Sequence, residues 1–183
     1  MNFHRSTLRT VFGYSFTLVE KFFGISPRAK KLESIFNYLP INSNVSTSGQ
    51  PTAKQFTTIA NNGFKLVINL APHGGENTLN NEADIVTRLG MKYINIPVDF
   101  DNPEQRDFDQ FVACMGNFAT EKIWVHCAAN MRVSCFIFLY RTTILGESPQ
   151  HAEADLKTIW EPFGVWKGLI THIITNTHKR NET

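Results

Sequence analysis

The chain has 183 residues, a formal net charge of +2 and 42% hydrophobic residues, as expected for one globular domain with a sizeable core. The small net charge gives no reason to expect a nucleic-acid partner. Three cysteines do not form a disulfide framework, and no run of about 18 apolar residues predicts a membrane span.

The pattern over residues 1–30 predicts an amphipathic helical extension, and Ser26-Pro27 is expected to end its helix. Residues 31–183 are expected to form the domain that follows. Its apolar residues recur at helical spacing behind two arginines, and they are Leu8, Val11, Phe12, Phe16, Val19, Phe22 and Phe23. Such a helix packs on the domain or on another subunit, or it makes weak membrane-surface contact through residues 5–23. We expect a cytoplasmic protein, with export or membrane-surface association as alternatives, because the apolar stretch lacks a small-residue cleavage site.

The rest of the chain alternates strands and helices. Two strand candidates, Phe36–Leu39 and Asn44–Ser48, flank the turn at Pro40. The expected order after them is helix 53–62, strand 64–70, helix 81–89, strand 91–98, helix 104–119, strand 122–126, and helices 133–145, 148–160 and 164–177.

Strand–helix–strand alternation predicts right-handed crossovers and an α/β fold. We expect a central, mainly parallel sheet of four to five strands flanked by helices. Ligands of such sheets bind beyond the carboxyl ends of the strands. The loops at 71–80, 99–103 and 127–132 are therefore expected to meet at one edge.

The stretch from Ile123 to Ser134 is the most informative. Four β-forming residues end in His126-Cys127, four residues separate Cys127 from Arg132, and an apolar helical run follows. A strand, a tight loop and a helix N-terminus form an anion site that would stabilise a thiolate. Arg132 adds a planar fork of donors that matches a phosphate. The pattern predicts a cysteine nucleophile that attacks phosphorus or another electrophile bound as an anion.

These residues resemble the signature of the protein tyrosine phosphatase superfamily, although that signature has five residues between Cys and Arg. The segment Val45–Thr52, with Ser-Gly-Gln-Pro inside it, and the strand Lys65–Leu70 narrow the match. Together they are similar to a bacterial group of dual-specificity-phosphatase-like domains, the beta-lactamase-hydrolase-like phosphatases, over roughly residues 31–178. The resemblance implies a phosphotyrosine-phosphatase-like fold and a hydrolase that cleaves a phosphate monoester, on a protein or a small molecule, through a phosphocysteine intermediate without a cofactor.

The resemblance also assigns residue roles. Cys127 becomes the nucleophile, Arg132 the phosphate clamp, and His126 the residue that orients the loop. Ser134 would donate a hydrogen bond to the thiolate, or it would satisfy its own helix backbone instead. Asn130 stands where many such loops carry Gly, and Asn tolerates left-handed backbone. The phosphate-binding residues of the loop and helix start are then His126, Ala128, Ala129, Asn130, Met131, Arg132 and Ser134.

A phosphatase also needs a general acid for the leaving oxygen. The superfamily carries an Asp upstream of the cysteine, and Asp99 is the first candidate because it follows a predicted strand. Asp101 is the second candidate. Either Asp could instead cap the helix that starts near Pro103. His73 lies in a glycine-flanked loop, where we expect it to be solvated.

Two other functions remain open from the sequence. A rhodanese-like sulfurtransferase would carry a persulfide on Cys127, and a non-catalytic module would only bind phosphate. His126 and an upstream Asp favour phosphoryl transfer. The histidines show no ligand spacing with a carboxylate, so no metal site is predicted. Cys114 and Cys135 are expected to be buried thiols, with a Cys127–Cys135 disulfide as the alternative.

Overall fold

A computed structural model describes residues 5–23, 31–74 and 78–181 of the chain. The described helices are α1 (Arg5–Phe23), α2 (Ala53–Asn61), α3 (Glu82–Arg88), α4 (Gln105–Asn117), α5 (Met131–Thr143), α6 (Pro149–Ile159) and α7 (Gly164–Asn181). The described strands are β1 (Leu39–Pro40), β2 (Val45–Ser48), β3 (Leu66–Asn69), β4 (Lys92–Asn95) and β5 (Ile123–His126). A single 3₁₀ turn precedes β1 at Leu32–Ser34.

The five strands form one sheet in the order β1-β2-β5-β3-β4. The edge strand β1 is antiparallel to β2, and the other four strands are parallel. The central strand β5 places His126 between Ser48 of β2 and Asn69 of β3. Every residue of these three strands is buried, which explains the apolar runs of β3 and β5. The predicted mainly parallel sheet is confirmed.

Helices cover both faces of the sheet. Helices α4, α5, α6 and α7 enclose the larger core, and α2 and α3 enclose the smaller one. In the larger core the Phe136 ring packs at 5.5 Å from Phe108 and 5.7 Å from Phe111. In the smaller core Trp124 stacks on Tyr38, with ring centroids 5.6 Å apart. Large aromatic side chains therefore pack α4 against α5 in the larger core and cover β5 in the smaller one.

Several helix and strand bounds differ from the expectation. The strand predicted at 91–98 is regular only as β4, although Ile96 and Val98 still donate single backbone bonds to the chain around β3. Helix α5 starts at Met131 rather than at residue 133, so Arg132 belongs to its first turn. Thr52 caps α2 and forms a reciprocal bond with Gln55. The expected helix end at Ser26-Pro27 lies outside the described residues.

Within the described ranges, no helix combines the length and apolarity that a bilayer crossing requires.

Candidate active site

Cys127 follows the last residue of the central strand β5, and its side chain is fully buried. The strands on either side run parallel to β5, so the chain beyond their carboxyl ends lies at the same edge of the sheet. The segments after β2 and β3 are therefore the neighbours of Cys127, and the segment after β4 reaches this edge through the bond from Arg132 to Val98. The predicted meeting of loops at this edge is confirmed, and the segment after β2 joins them.

The loop from Cys127 to Asn130 joins β5 directly to α5. Asn130 adopts a left-handed backbone, with φ 65°, and this residue reverses the chain into the helix. Its side-chain amide donates to the carbonyl of Asn37 at 2.7 Å and to Thr47 Oγ1 at 3.0 Å. Asn37 returns a bond from its own amide to the carbonyl of Ala129, at 3.0 Å. The expectation that Asn130 makes the turn is confirmed, and the reciprocal amides hold the loop closed.

The Ser-Gly-Gln segment at 48–50 runs along the nucleophile loop. The carbonyl of Ser48 accepts from the backbone N–H of Cys127 at 3.4 Å, and Gln50 N–H donates to the Ala128 carbonyl at 3.1 Å. A Cβ added at Gly49 would lie 3.0 Å from the Ala128 oxygen, so only glycine fits without displacing the chain. Backbone hydrogen bonds therefore join the Ser-Gly-Gln segment to the nucleophile loop, although the two are far apart in the sequence.

Arg132 occupies the first turn of α5, which contains no acidic residue. Its Nε donates to the Val98 carbonyl at 2.9 Å, and its guanidinium carbon lies 5.2 Å from the centroid of the Phe100 ring. A cation near a helix N-terminus is unfavourable on its own, because that end carries partial positive charge. The backbone and ring contacts therefore hold the guanidinium in a region suited to a bound anion.

The loop after β4 carries both candidate acids, and both are exposed. Asp99 accepts a bond from the backbone N–H of Asp101 at 3.0 Å, which closes a local turn. Neither residue caps α4, because Glu104 is the cap and forms a reciprocal pair with Asp107. The capping alternative is therefore wrong for both Asp99 and Asp101.

Aromatic contacts hold the loop that carries Asp99 and Asp101 in place. The Phe100 ring packs against Trp160 and Trp166, with centroids 5.8 and 5.6 Å away. Trp166 Nε1 also donates to the Phe100 carbonyl at 2.9 Å. Since Phe100 contacts Arg132 as well, the loop that carries Asp99 is fixed relative to the first turn of α5.

Glu82, which the sequence did not single out, lies behind the nucleophile. Its Oε1 is 3.2 Å from His126 Nε2, and both side chains are buried. The same carboxylate accepts bonds from the amides of Asn69, at 2.9 Å, and of Gln50. Burial raises the pKa of Glu82, but the His126 charge and bonds from His126, Gln50 and Tyr93 outweigh it and lower the pKa below its ordinary value.

A cavity of about 220 Å³ opens beside this cluster, in the part of the chain that the structure describes. Its lining includes Glu82, Asn69 and Tyr93 at the base and the exposed His73 at the rim. Burial and the Glu82 charge raise the pKa of Tyr93, so its phenol stays protonated at neutral pH. The base of the cavity is thus a neutral hydroxyl and amide next to one carboxylate.

The remaining residues of the loop and helix start differ in exposure. Ala129 is buried, Ala128 and Met131 are half-buried, and Ser134 is 5% exposed. Ser134 Oγ donates to the Met131 carbonyl at 3.0 Å, the local bond that was one of the two expected alternatives. Its hydrogen bond to a thiolate stays a prediction. Ala128 and Ala129 add little side-chain bulk to the loop.

All three cysteines are free and buried. Burial raises the pKa of Cys135 well above its ordinary value, helped by the Cys127 charge and opposed by a bond from Trp160. Cys114 also has its pKa raised by burial. The expectation of buried thiols at Cys114 and Cys135 is confirmed, and both stay protonated at neutral pH. Across residues 5–23, 31–74 and 78–181, no group of three or more His, Cys, Asp or Glu side chains is arranged to hold a metal.

Comparison with known proteins agrees with this geometry. Residues 33–163 match the profile of the family described as DSP-PTPase phosphatase fused to NAD+ kinase, PTP-NADK. The chain belongs to this family. The family match spans the whole sheet, the nucleophile loop and helices α2 to α6, so the predicted resemblance to dual-specificity phosphatases is confirmed.

Two relatives, one with a solved structure, are similar to this chain in sequence. The chain is 31% identical to a candidate phosphatase (DUF442) from Shewanella putrefaciens CN-32, over 80% of this chain and 96% of that one, with a TM-score of 0.74. It is 32% identical to the beta-lactamase hydrolase-like protein of Xylella fastidiosa (strain Temecula1 / ATCC 700964) over 96 residues, which are 50% of this chain. That match spans only 22% of the Xylella protein.

A more distant structure shares the fold. PTPMT1, solved in complex with PI(5)P, superposes with a TM-score of 0.67 at 14% identity, over 79% of this chain and 98% of that one. The phosphotyrosine-phosphatase-like architecture predicted from the sequence is therefore confirmed at the level of the fold.

Proposed function

We propose that this PTP-NADK family chain is a cysteine-dependent phosphatase that hydrolyses a phosphate monoester through a phosphocysteine intermediate. The observation that carries the proposal is the position of Arg132 in the first turn of α5, with four residues between it and the buried Cys127. Val98 binds Nε, which leaves the terminal nitrogens of the guanidinium for a ligand. Those nitrogens match the geometry of a phosphate.

In the first step the Cys127 thiolate attacks phosphorus and the bond from phosphorus to the ester oxygen breaks. Asp99, as the carboxylic acid, gives its proton to that oxygen, so the alcohol leaves neutral. Arg132 and the N-terminal amides of α5 bind the equatorial oxygens as charge spreads over them. The products of this step are the alcohol, an Asp99 carboxylate and a phosphocysteine.

In the second step water attacks the phosphorus of the phosphocysteine. The Asp99 carboxylate takes a proton from the water, and the bond from phosphorus to Sγ breaks to release inorganic phosphate and the thiolate. A hydrogen bond from Ser134 would stabilise the departing sulfur if the hydroxyl turns from its bond to the Met131 carbonyl. No metal is needed in this cycle, because Arg132 and the helix carry the positive charge.

The substrate we propose is a phosphate monoester on a protein or a small molecule. The loop residues Ala128 and Ala129 bring no bulk or charge to the site that would select among esters. PTPMT1, which shares the fold, binds a phosphoinositide. Selection would therefore fall to the loops around the edge of the sheet, including His73 at the cavity rim.

The experiment compares wild type, Cys127→Ser and Cys114→Ser in two assays run in parallel: hydrolysis of an aryl phosphate, and sulfur transfer from thiosulfate to cyanide. We expect hydrolysis by wild type and Cys114→Ser, and loss of it in Cys127→Ser. Cys114 is the matched control because it is a second buried thiol, on α4. Sulfur transfer without hydrolysis would instead favour the sulfurtransferase.

Alkylation separates a catalyst from a binding module. Phosphate or vanadate should slow the modification of Cys127 by iodoacetamide at neutral pH, because a bound anion covers the loop. Protection by anions in a protein that hydrolyses no phosphate ester would favour the non-catalytic phosphate-binding module. Alkylation that no anion slows would contradict an anion site at Cys127.

A further inference from the structure

Helix α1 faces the rest of the chain with its polar side. Thr7 and Thr10 are 2% and 1% exposed, the most buried side chains described on this helix. Thr7 Oγ1 accepts from the backbone N–H of Glu161 at 3.0 Å, and Thr10 Oγ1 donates to the carbonyl of Ile159. A Cβ added at Gly13 would meet the Phe36 ring at 2.5 Å, so the helix lies directly on that ring.

The opposite side of α1 is apolar and open to solvent. Leu8, Val11 and Phe12 are 43%, 52% and 73% exposed. A surface helix of a globular domain normally presents these two faces the other way round. In the sequence the same helical spacing continues through Phe16, Val19, Phe22 and Phe23. The contacts of the domain therefore do not use the apolar face formed by Leu8, Val11 and Phe12.

Positive charge lies beside the apolar stripe. Arg5 and Arg9 are exposed on α1, and no acidic residue occurs before Glu20. An apolar helix face flanked by arginines is complementary to a membrane surface, where the apolar side chains enter the acyl region and the guanidinium groups meet anionic headgroups. A second copy of the chain complements it poorly, since a symmetric pair would bring four guanidinium groups together.

We propose that the apolar face of α1, formed by Leu8, Val11 and Phe12 with Arg5 and Arg9 at its edge, binds the surface of a lipid bilayer that contains anionic headgroups. The helix lies in the plane of the interface and does not cross it. The proposal is independent of the proposed catalytic activity, because none of these residues contributes to the site at Cys127.

Asn37 connects the buried face of α1 to the nucleophile loop. Asn37 donates from its amide to Thr10 Oγ1 at 3.1 Å and to the Ala129 carbonyl at 3.0 Å. The buried face of α1 is therefore bonded to the segment that holds the nucleophile loop. A chain bound through α1 carries its candidate site close to the lipid surface.

The test is co-sedimentation of the full chain with vesicles of phosphatidylcholine alone and of equimolar phosphatidylcholine and phosphatidylglycerol. Wild type should bind the mixed vesicles, and added salt should weaken this binding. Leu8→Gln with Phe12→Gln should lower the partition coefficient by about tenfold or more, because apolar burial is lost. Arg5→Gln with Arg9→Gln should weaken binding to the mixed vesicles by about fivefold for each lost charge.

The matched control is Ile144→Gln with Leu145→Gln, which removes two exposed apolar side chains outside α1. This control should bind vesicles as wild type does. Circular dichroism, thermal melting and hydrolysis of a soluble aryl phosphate should be unchanged in the α1 variants, since the substituted side chains are exposed. Failure of wild type to bind either vesicle would overturn the proposal, as would equal loss in the control. A dimer in solution that the Leu8 and Phe12 substitutions dissociate would also overturn it, in favour of a second copy.

Discussion

Nε2 of His126 lies 3.2 Å from Oε1 of Glu82, and both side chains are buried. His126 immediately precedes Cys127, so this pair is directly behind the candidate nucleophile. An N–H at Nε2 can satisfy the carboxylate whether the imidazole is neutral or charged. Neither ring nitrogen of His126 meets full hydrogen-bond geometry among the described residues, so the close approach of Nε2 to Glu82 is the polar contact that orients the ring.

The first prediction is that Glu82→Gln lowers kcat by about 10- to 100-fold, by analogy with carboxylates that orient a functional histidine. KM should change less than kcat, because Glu82 acts on Cys127 through His126. The variant should also lose about 3 kcal/mol of stability, since the substitution breaks a buried pair. Kinetics and urea unfolding measure both effects, and Asp84→Asn, an exposed acid on the same helix, is the control. Wild-type kcat in the Gln variant would remove the orienting role.

The same carboxylate predicts a pH dependence of stability. The pKa of Glu82 is lower in the folded chain than its ordinary value of 4.5. The ionised form therefore contributes stability above that value, and the contribution is lost as the pH falls through the folded pKa. Urea unfolding of wild type between about pH 5 and pH 3 should show a steeper fall in free energy than Glu82→Gln shows. Parallel curves for the two proteins would contradict the lowered pKa.

Much of this arrangement could be predicted from local sequence. The strand ending in His126-Cys127, the left-handed turn at Asn130 and the buried helix after it all follow from residue types and spacing. Glu82 could not be predicted in this way. An acid in the first turn of a helix is ordinarily explained by the helix dipole, and only the packing of α3 against the sheet brings Glu82 to His126.

Two other predictions, the end of β4 and the cap of α4, failed because they depend on contacts that the local sequence does not show. After β4 the chain makes only single backbone hydrogen bonds, from Ile96 to Asn69 and from Val98 to Leu70. The predicted strand to Val98 is therefore longer than the regularly paired strand. The alternative that Asp99 or Asp101 caps α4 was wrong because Glu104, nearer the helix, pairs with Asp107. The local sequence does not show which of several neighbouring acidic residues caps a helix.

A second substitution tests the contact between the two motifs. Gly49→Ala would place a Cβ 2.7 Å from the Phe36 ring and 3.0 Å from the Ala128 oxygen, so the nucleophile loop or the ring must move. We expect a loss of about 1–3 kcal/mol in stability and a lower kcat. Thermal unfolding and aryl-phosphate kinetics measure the effect.

The control for this substitution is Gly168→Ala on α7, where an added Cβ has no heavy atom within 4 Å. Alanine there should stabilise the chain by about 0.5–1 kcal/mol, because glycine is a poor helix former. Equal behaviour of the two variants would mean that Gly49 does not need to be small.

Arg132→Lys should reduce kcat/KM by about 30- to 1,000-fold, equivalent to about 2–4 kcal/mol of transition-state stabilisation, while the fold is retained. Lysine offers a point charge without the planar fork, and it has no Nε to bond the Val98 carbonyl. Arg106→Lys is the control, because Arg106 is an exposed arginine whose partners are surface acids. Near-wild-type kinetics in Arg132→Lys would remove the clamp from the mechanism.

The last prediction concerns the acid. Asp99→Asn keeps an oxygen that can accept the bond from the Asp101 backbone, so the local turn should survive. Hydrolysis of phenyl or alkyl phosphates should slow by about 10²–10⁴-fold, because the leaving oxygen then lacks a proton donor. Esters with very acidic leaving groups should react almost as before, and the basic limb of the pH–rate profile should flatten. Asp101→Asn is the matched comparison on the same exposed loop. Selective loss at Asp101 in place of Asp99 would transfer the role, and equal losses on good and poor leaving groups would exclude Asp99 as the acid.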